Sequence, residues 1–405
     1  MPQDNPKIRH PMNAPPWREA ASLILACRSP MSDVVGNDLA DTMIATKWAN
    51  GSQTTNGISR FDYKVLMVKR SQLSSFMANA YVYPGGLAEK SDFSLEWIKV
   101  FEQCGISFDT LRSEFVDCVQ GPRPPMIEEP MTISHNEKKE ILEGFLPADI
   151  ALRICAIREA FEETGVLLVT SSKPDVSAPM RAFEQDIDQN SWRQKLRSEP
   201  RAFLDLCLTN KLCPNLWVMH EWWDWLTPIS VGHRRYDTMF YVACLDQMPN
   251  VILDQSEVVT LRWTTPLAIL EEYSGGSVFL APPQVYEMSR LATMSSFNNL
   301  AKLARERERL GVERWMPVVG AANDGVVALL PGDDLYPAEP DIYGNGPGPE
   351  YPFTLEEVRK RCEHLNRMDV QGPFACAHCN IPPPRGIPCP ISYVGTSQLN
   401  FQSVL

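Results

Sequence analysis

The segment REAFEETGV, Arg158–Val166, combines one arginine, three glutamates and a glycine within nine positions. On a helix, residues three and four apart share a face, so Glu159, Glu162 and Glu163 point the same way. Three like charges on one face are destabilising unless a positive partner joins them. They also lie near the C-terminal end of the helix, where the dipole disfavours carboxylates. A solvated acidic face is the simpler alternative, but this costly placement favours a functional site.

The residues before this segment predict the rest of the helix. In PADIALRICAIREAFEETG, Pro147 suits the first turn, Asp149 adds a negative charge there, and Gly165 is a natural stop. The predicted apolar side consists of Leu152, Ile154, Cys155, Ile157, Ala160 and Phe161.

Clustered carboxylates suit a hard divalent cation such as Mg²⁺, which keeps several waters and binds phosphates through a few carboxylates. The glycine-rich bend in AYVYPGG, at Pro84–Gly86, can add a backbone carbonyl as a further oxygen ligand. Arg158 is expected to hold one glutamate through a charge-assisted hydrogen bond. Together these residues predict metal-dependent chemistry on a phosphate.

The GG dipeptide followed by REAFEETGV resembles the Nudix box. That pattern is a glycine, five residues, a glutamate, seven residues, and then Arg-Glu-apolar-x-Glu-Glu-x-Gly-apolar. The second half matches at each fixed position, namely Arg158, Glu159, Glu162, Glu163 and Gly165.

The first half of the box departs from the pattern. Ile150, not a glutamate, stands eight residues before Arg158, and Gly86 lies far upstream of the helix. An insertion over about 90–146 explains the spacing. The missing first acid has three candidates: Asp92, at the expected distance from Gly86, and Glu89 and Asp149.

The resemblance covers Trp17–Tyr336 and is closest to the Nudix motif 19 branch of coenzyme A diphosphatases, which are associated with peroxisomes. The segments that carry it include WREAASLILA, KRSQLSSFMANAYVYPGG, RRYDTMFYVACL and LLPGDDLY. It implies hydrolysis of the diphosphate in coenzyme A and its acyl esters to adenosine 3′,5′-bisphosphate and 4′-phosphopantetheine or its acyl derivative. It also implies a requirement for Mg²⁺ or Mn²⁺.

The resemblance also implies roles for the residues of the box. Glu159 and Glu163 would be the principal metal ligands, and Glu162 a further ligand or the base that prepares water. The carbonyl of Gly85 or Gly86 would complete the shell.

Two further side chains are candidates outside the box. Arg70, at the end of a predicted strand, is a candidate for binding the phosphates of the substrate, as is the backbone of Gly85. Glu257, just before another predicted strand, is a candidate extra acid for the metal site. Ordinary charges at the ends of strands explain Arg70 and Glu257 equally well.

The implied fold is a Nudix α/β/α sandwich, of the α/β class, with a central mixed β-sheet. The predicted domain is 17–336, with helical insertions over about 90–146 and 173–213. The remaining residues, 337–405, are rich in proline and glycine and are expected to be a loosely structured tail. Soft metal ligands also lie there, which leaves a zinc site as an alternative; they are Cys362, His364, the C-x-x-C pair Cys376 and Cys379, and Cys389.

Composition limits the partners and the location. The formal net charge is −12 without a basic cluster on one face, so a nucleic-acid partner is not expected. No run approaches the roughly 20 apolar residues of a membrane span. The C-terminal Ser403–Leu405 departs from the peroxisomal Ser-Lys-Leu signal. A peroxisomal location is therefore implied by the resemblance alone, with the cytosol or mitochondrion as alternatives.

Two other functions stay open at this point. The first is a Nudix hydrolase acting on another nucleoside diphosphate derivative, such as ADP-ribose or NADH, because the box fixes the reaction and not the leaving groups. The second is a catalytically silent Nudix-fold binding protein, which the missing first-half glutamate suggests.

Overall fold

The computed structural model describes residues 17–29, 42–49, 52–72, 74, 77–134, 144–175, 177–183, 187–232, 234–252 and 258–392, with backbone alone for 42–49 and 52–60. The strands are β1 (Trp17–Arg28), β2 (Thr42–Ala49), β3 (Ser52–Arg60), β4 (Tyr63–Arg70), β5 (Ala80–Val82), β6 (Gly85–Leu87), β7 (Val169–Thr170), β8 (Cys213–Pro214), β9 (Met219–Leu226), β10 (Arg235–Leu245), β11 (Val258–Thr264), β12 (Phe279–Leu280), β13 (Arg314–Trp315), β14 (Val318–Ala322), β15 (Gly325–Leu329), β16 (Asn366–Gln371) and β17 (Phe374–Cys379). The α-helices are α1 (Glu96–Glu102), α2 (Phe108–Phe115), α3 (Pro125–Glu128), α4 (Met131–Ser134), α5 (Ala148–Thr164), α6 (Gln189–Leu196), α7 (Ala202–Asn210), α8 (Pro266–Ser274), α9 (Pro282–Leu291), α10 (Phe297–Arg307) and α11 (Leu355–Lys360).

A mixed sheet forms the centre of the fold. Its two longest strands, β1 and β10, run parallel in register from Trp17 opposite Arg235 to Cys27 opposite Leu245. Antiparallel partners flank them, with β4 and β6 on β1 and β9 on β10. Most side chains of β1 and β10 are buried, as expected for strands covered on both faces. The predicted α/β class with a mixed central sheet is confirmed.

Helix α5, which carries the acidic motif, is the most deeply buried helix near this sheet. It packs against β1 and β6 and begins after Pro147, as the sequence predicts. It ends at Gly165, whose φ of 74° is the left-handed conformation that glycine adopts without steric cost. Its apolar residues are fully buried, and so are Arg153 and Arg158. A helix buried on nearly every side must pair its charges within the protein.

The first predicted insertion is a helical excursion from the central fold, and its two ends lie next to each other. Helices α1 to α4 lie within it. The Leu146 N–H donates to the carbonyl of Phe93 at 2.8 Å, and Ser94 and Phe145 form an isolated antiparallel bridge. The two ends of the excursion therefore meet, and the residues before Ser94 lie next to the start of α5. The second insertion contains α6 and α7.

The chain after Tyr336 is more ordered than its composition suggests. Strands β16 and β17 pair with each other, and β16 pairs with β15 of the preceding hairpin, so that β14 to β17 form one four-stranded sheet. Val327, Leu329 and Leu355 form a small core there. The expectation of a loosely structured tail is wrong for 355–379. Averaging over the proline-rich spacer hid two short strands: β16, which pairs with β15 before residue 337, and β17, which pairs with β16.

No helix within the described residues combines the length and apolar character that crossing a membrane requires.

A buried ion pair secures this C-terminal sheet and generates a prediction. The Arg367 guanidinium donates from Nε and Nη2 to the two oxygens of Asp333 at 2.7 and 2.6 Å. Both side chains have zero exposure. Asp333→Ala leaves the guanidinium buried without its carboxylate, which we expect to cost the C-terminal sheet about 3–5 kcal/mol. Urea unfolding, with hydrogen exchange of β16 as the local probe, measures this loss.

The control is Glu356→Ala, which removes an exposed pair with Lys360 on α11 and should leave the urea midpoint in place. Equal midpoints for the two variants would contradict the structural role of the buried pair.

Candidate active site

The two glycines of the bend lie where the acidic helix meets the sheet. In β6, Gly85 pairs with Ser22 and Gly86 with Ala21 of β1. A Cβ on Gly86 would collide with the carboxylate of Glu159, and one on Gly85 would collide with the backbone of β1. Gly85 therefore requires glycine, whereas a side chain at position 86 would displace the Glu159 carboxylate, which packs directly on the Gly86 backbone.

Glu163 reaches the same bend from one helical turn further along. The Gly85 N–H donates to its Oε2 at 3.0 Å, and the residue is only 8% exposed. Glu159 and Glu163 thus converge on adjacent residues of β6, which brings together the two elements that the sequence singled out. Glu162, which lies between them on the helix, is half-buried.

Arg158 connects the helix, the bend and the residues before the insertion. Its Nη1 donates to Oε1 of Glu159 at 2.6 Å, the kind of contact that the sequence predicts. Its Nη2 donates to the carbonyl of Leu87 at 2.8 Å. Nε and Nη2 also donate to the two oxygens of Asp92, each at 2.9 Å. Burial alone would lower the pKa of this guanidinium, but the charges of Asp92 and Glu159 raise it well above its ordinary value.

Of the three candidates for the first acid of the box, Asp92 is the partner of Arg158. It is 1% exposed, and its Oδ2 also accepts the Glu89 N–H at 2.9 Å. Asp149 pairs instead with Arg123 at the other end of α5. Arg158 comes nine positions after Asp149 on the helix, about 14 Å along the axis. Asp149 is therefore too far away to pair with Arg158, and Glu89 contributes its backbone N–H to the contact with Asp92. Which of the three replaces the first acid of the box stays a prediction.

Sequence reasoning missed Arg193. This residue comes from α6, in the second insertion, and is 3% exposed. Its Nε donates to the carbonyl of Glu162 at 3.0 Å and its Nη2 to the carbonyl of Glu163 at 3.3 Å. A cation bonded to the last carbonyls of a helix offsets the negative end of the dipole. Arg193 thus reduces the cost of placing glutamates there. No spacing rule links it to the motif, because it lies 30 residues downstream of Glu163.

Arg70 is the remaining candidate side chain that the structure describes. The guanidinium of Arg70, at the end of β4, donates to the Ser74 hydroxyl at 3.0 and 2.8 Å, so its role in binding substrate stays a prediction. Glu257 lies outside the described residues, as does Ser403–Leu405.

The carboxylates of Glu159 and Glu163 and the backbone carbonyl of Gly86 are suitable ligands for a divalent cation, although both carboxylates accept hydrogen bonds from the protein here. Among the described residues, no three His, Cys, Asp or Glu side chains converge into a metal-binding group. The zinc hypothesis for Cys376 and Cys379 therefore has no ligand set in this part of the chain. Glu159 and Glu163 bond instead to Arg158 and to the Gly85 N–H. Each carboxylate has several lone-pair sites, so one donor does not exhaust it, and carboxylate and carbonyl oxygens are what Mg²⁺ and Mn²⁺ bind.

Comparison with known proteins agrees with this geometry. The model of the NUDT19 Nudix domain matches residues 17–291, and that of the NUDT19 C-terminal domain matches residues 319–380. The second match covers most of the C-terminal sheet, which crosses the boundary predicted at residue 336. That boundary stays a prediction.

Three relatives carry the name acyl-coenzyme A diphosphatase NUDT19. The protein from Gallus gallus is 36% identical over 354 residues, covering 84% of this chain and 83% of its own. That from Xenopus laevis is 38% identical over 335 residues, covering 81% and 83%. The Homo sapiens protein is 36% identical over 367 residues, covering 87% and 88%. With its acidic helix packed on a Gly-Gly strand, this chain belongs to the NUDT19 family of Nudix hydrolases.

Proposed function

We propose that this chain hydrolyses the diphosphate bond of coenzyme A and of acyl-coenzyme A. The products are adenosine 3′,5′-bisphosphate and 4′-phosphopantetheine or its acyl derivative. The names of the three relatives support the substrate class. The observation that carries the reaction type is the convergence of Glu159 and Glu163 on Gly85 and Gly86.

The proposal includes Mg²⁺ or Mn²⁺ as cofactor, as Nudix hydrolases generally use divalent metals. Glu159, Glu163 and the carbonyl of Gly86 would hold the ion, with Glu162 as a further ligand or the base. When bound, such an ion neutralises diphosphate oxygens and lowers the pKa of a coordinated water.

The residues of the chain then position the reactants and move one proton. The oxygen of water forms a bond to one phosphorus, and the bond from that phosphorus to the bridging oxygen breaks. The bridging oxygen leaves on the second phosphate. Glu162 accepts the proton that the water loses, and Arg158 keeps Glu159 oriented through the 2.6 Å bond. Most of the rate enhancement in phosphoryl chemistry comes from such positioning and from electrostatics.

Charge explains why cations are needed at the site. The chain carries a formal net charge of −12, so its overall field repels an anionic diphosphate. A cation held by Glu159 and Glu163 would offset that repulsion, and Arg70 is proposed as an additional contact to the phosphates.

A peroxisomal location is part of the proposal and is supported by the similarity to the relatives alone. Expression of the full chain with an N-terminal fluorescent tag tests it. We expect overlap with a peroxisomal marker, and a uniformly cytosolic or mitochondrial signal would contradict it.

A substrate panel tests the function. The purified chain with Mg²⁺ should hydrolyse coenzyme A and acetyl-coenzyme A in preference to ADP-ribose and NADH, with products resolved by chromatography. Glu163→Gln keeps the side-chain volume and an acceptor for the Gly85 N–H but removes the charge. We expect it to lower kcat about 100-fold or more and to weaken Mn²⁺ binding measured by electron paramagnetic resonance.

The matched control is Glu102→Gln, at an exposed position of α1, which should behave as the unmodified chain. Near-normal turnover by a folded Glu163→Gln variant would overturn the assignment of Glu163 to the active site. Preference for ADP-ribose or NADH would overturn the substrate class, and hydrolysis of none of the panel would favour a silent binding protein.

The contacts of Arg193 predict a positioning role. Arg193→Met removes the donors to the carbonyls of Glu162 and Glu163, so we expect kcat to fall about tenfold with KM little changed. Arg193→Lys keeps the charge and should recover part of the loss. Steady-state kinetics at a temperature where all variants are folded measure the effect.

The control for Arg193 is Arg197→Met, the same substitution one turn later at an exposed position. If Arg193→Met lowers the unfolding midpoint but leaves kcat unchanged, its role is structural and not catalytic positioning.

A further inference from the structure

A cavity of about 330 Å³ lies where the edge of the central sheet meets the turn of the C-terminal hairpin. Small-molecule pockets range from about 300 to 1,000 Å³, so this one suits one part of a larger ligand. Its principal side chains are Lys69, Asn79, Tyr81, Tyr273, Phe279 and Phe374.

The central sheet supplies one wall of this cavity. Lys69 of β4 and Tyr81 of β5 are directly opposite each other in an antiparallel pair. The Lys69 ammonium lies 5.7 Å from the centre of the Tyr81 ring. Phe279 of β12 comes from the parallel neighbour of β5. This wall therefore offers aromatic rings with one cation beside them.

The C-terminal sheet supplies the opposite wall and is held in place. The Tyr273 hydroxyl accepts from the Ala375 N–H at 2.6 Å and donates to the carbonyl of Pro373 at 3.1 Å. Its ring meets that of Phe374 edge-on, with centroids 5.8 Å apart. These contacts fix the turn between β16 and β17, so Phe374 is a preformed part of the cavity.

The chemistry of the lining selects a nucleotide over an acyl chain. A purine ring stacks on aromatic side chains, an amide such as that of Asn79 pairs with its polar edge, and an ammonium pairs with a phosphate. A hydrocarbon chain would instead cover Lys69 and Asn79 without satisfying either of them. A cation beside aromatic rings is complementary to a base that carries a phosphorylated ribose.

The cavity is also within reach of the acidic helix. Tyr81 precedes Gly85 by four residues, which span at most about 14 Å when extended. Gly85 is bonded to Glu163. One ligand can therefore occupy the cavity while its diphosphate lies against the carboxylates.

We propose that this cavity binds the adenosine 3′-phosphate end of the substrate, with Tyr81 and Phe374 against the base and Lys69 paired with the 3′-phosphate. The proposal rests on the proposed function and adds a residue from the C-terminal sheet to substrate recognition.

Comparison of coenzyme A with dephospho-coenzyme A, which lacks only the 3′-phosphate, tests the role of Lys69. We expect Lys69→Met to raise KM for coenzyme A about fivefold, with kcat unchanged and KM for dephospho-coenzyme A unaffected. The control is Lys64→Met, which is on the same strand and also half-buried, and it should change neither KM. Equal effects of Lys69→Met on the two substrates, or none, would overturn the assignment.

Phe374 is tested by substitution and by binding. Phe374→Leu keeps an apolar side chain at the turn and should raise KM for both substrates about tenfold through lost stacking. Phe353→Leu, in the same C-terminal part of the chain but away from the cavity, should leave both unchanged. An unaltered KM in Phe374→Leu would contradict the proposal.

Calorimetry separates this inference from the proposed function, because it needs no turnover. The unmodified chain should bind adenosine 3′,5′-bisphosphate about fivefold more tightly than adenosine 5′-monophosphate, and Lys69→Met should abolish that difference. If the chain shows this preference but does not hydrolyse coenzyme A, the assignment of the cavity stands and the proposed function is wrong. If the chain hydrolyses coenzyme A but binds both nucleotides equally, only the assignment of the cavity is wrong.

Discussion

The buried ion pair between Arg158 and Asp92 is the constraint on which the site depends. Arg158 is 1% exposed, and a guanidinium at such depth is stable only when carboxylates and carbonyls take up its donors. Asp92, Glu159 and the Leu87 carbonyl do so. The same side chain thus joins the helix to the strand that presents Gly85 and Gly86. Together with the bond from the Gly85 N–H to Glu163, it fixes the glutamates of α5 relative to the bend.

This constraint explains how the chain tolerates an insertion between two halves of one motif. The hydrogen bond from Leu146 to Phe93 closes the excursion directly beside Asp92. Closing a longer loop costs little additional entropy, since the cost grows only with the logarithm of its length. The chain can therefore accommodate helices α1 to α4 as long as Asp92 still pairs with Arg158. The two halves of the motif therefore meet in the folded chain although they are far apart along the sequence.

Local patterns predicted the parts of the fold and site that short-range physics determines. The start of α5 after Pro147, its end at Gly165, and the strand that ends at Arg70, β4, follow from turn chemistry and an apolar run. Asp92 was one of three candidates, because sequence spacing alone cannot show which acid a buried arginine meets. Arg193 and Phe374 were missed for the same reason. Each reaches its partner through tertiary contacts between elements distant in sequence, which no local signal encodes.

Amino-acid composition was most misleading for the C-terminal sheet. Strand β16 pairs with β15, which precedes residue 337, and Tyr286 of α9 donates to Asn366 of β16 at 2.6 Å. Strand β17 also packs on α9. A segment joined to the domain by a shared sheet and buried hydrogen bonds cannot move as an independent tail, because an isolated two-stranded hairpin is only marginally stable in water. Its hairpin turn is therefore held at a constant position beside β5. A rigid wall contributed from outside the motif is a means by which a Nudix fold can select among diphosphates while leaving the acidic helix unchanged.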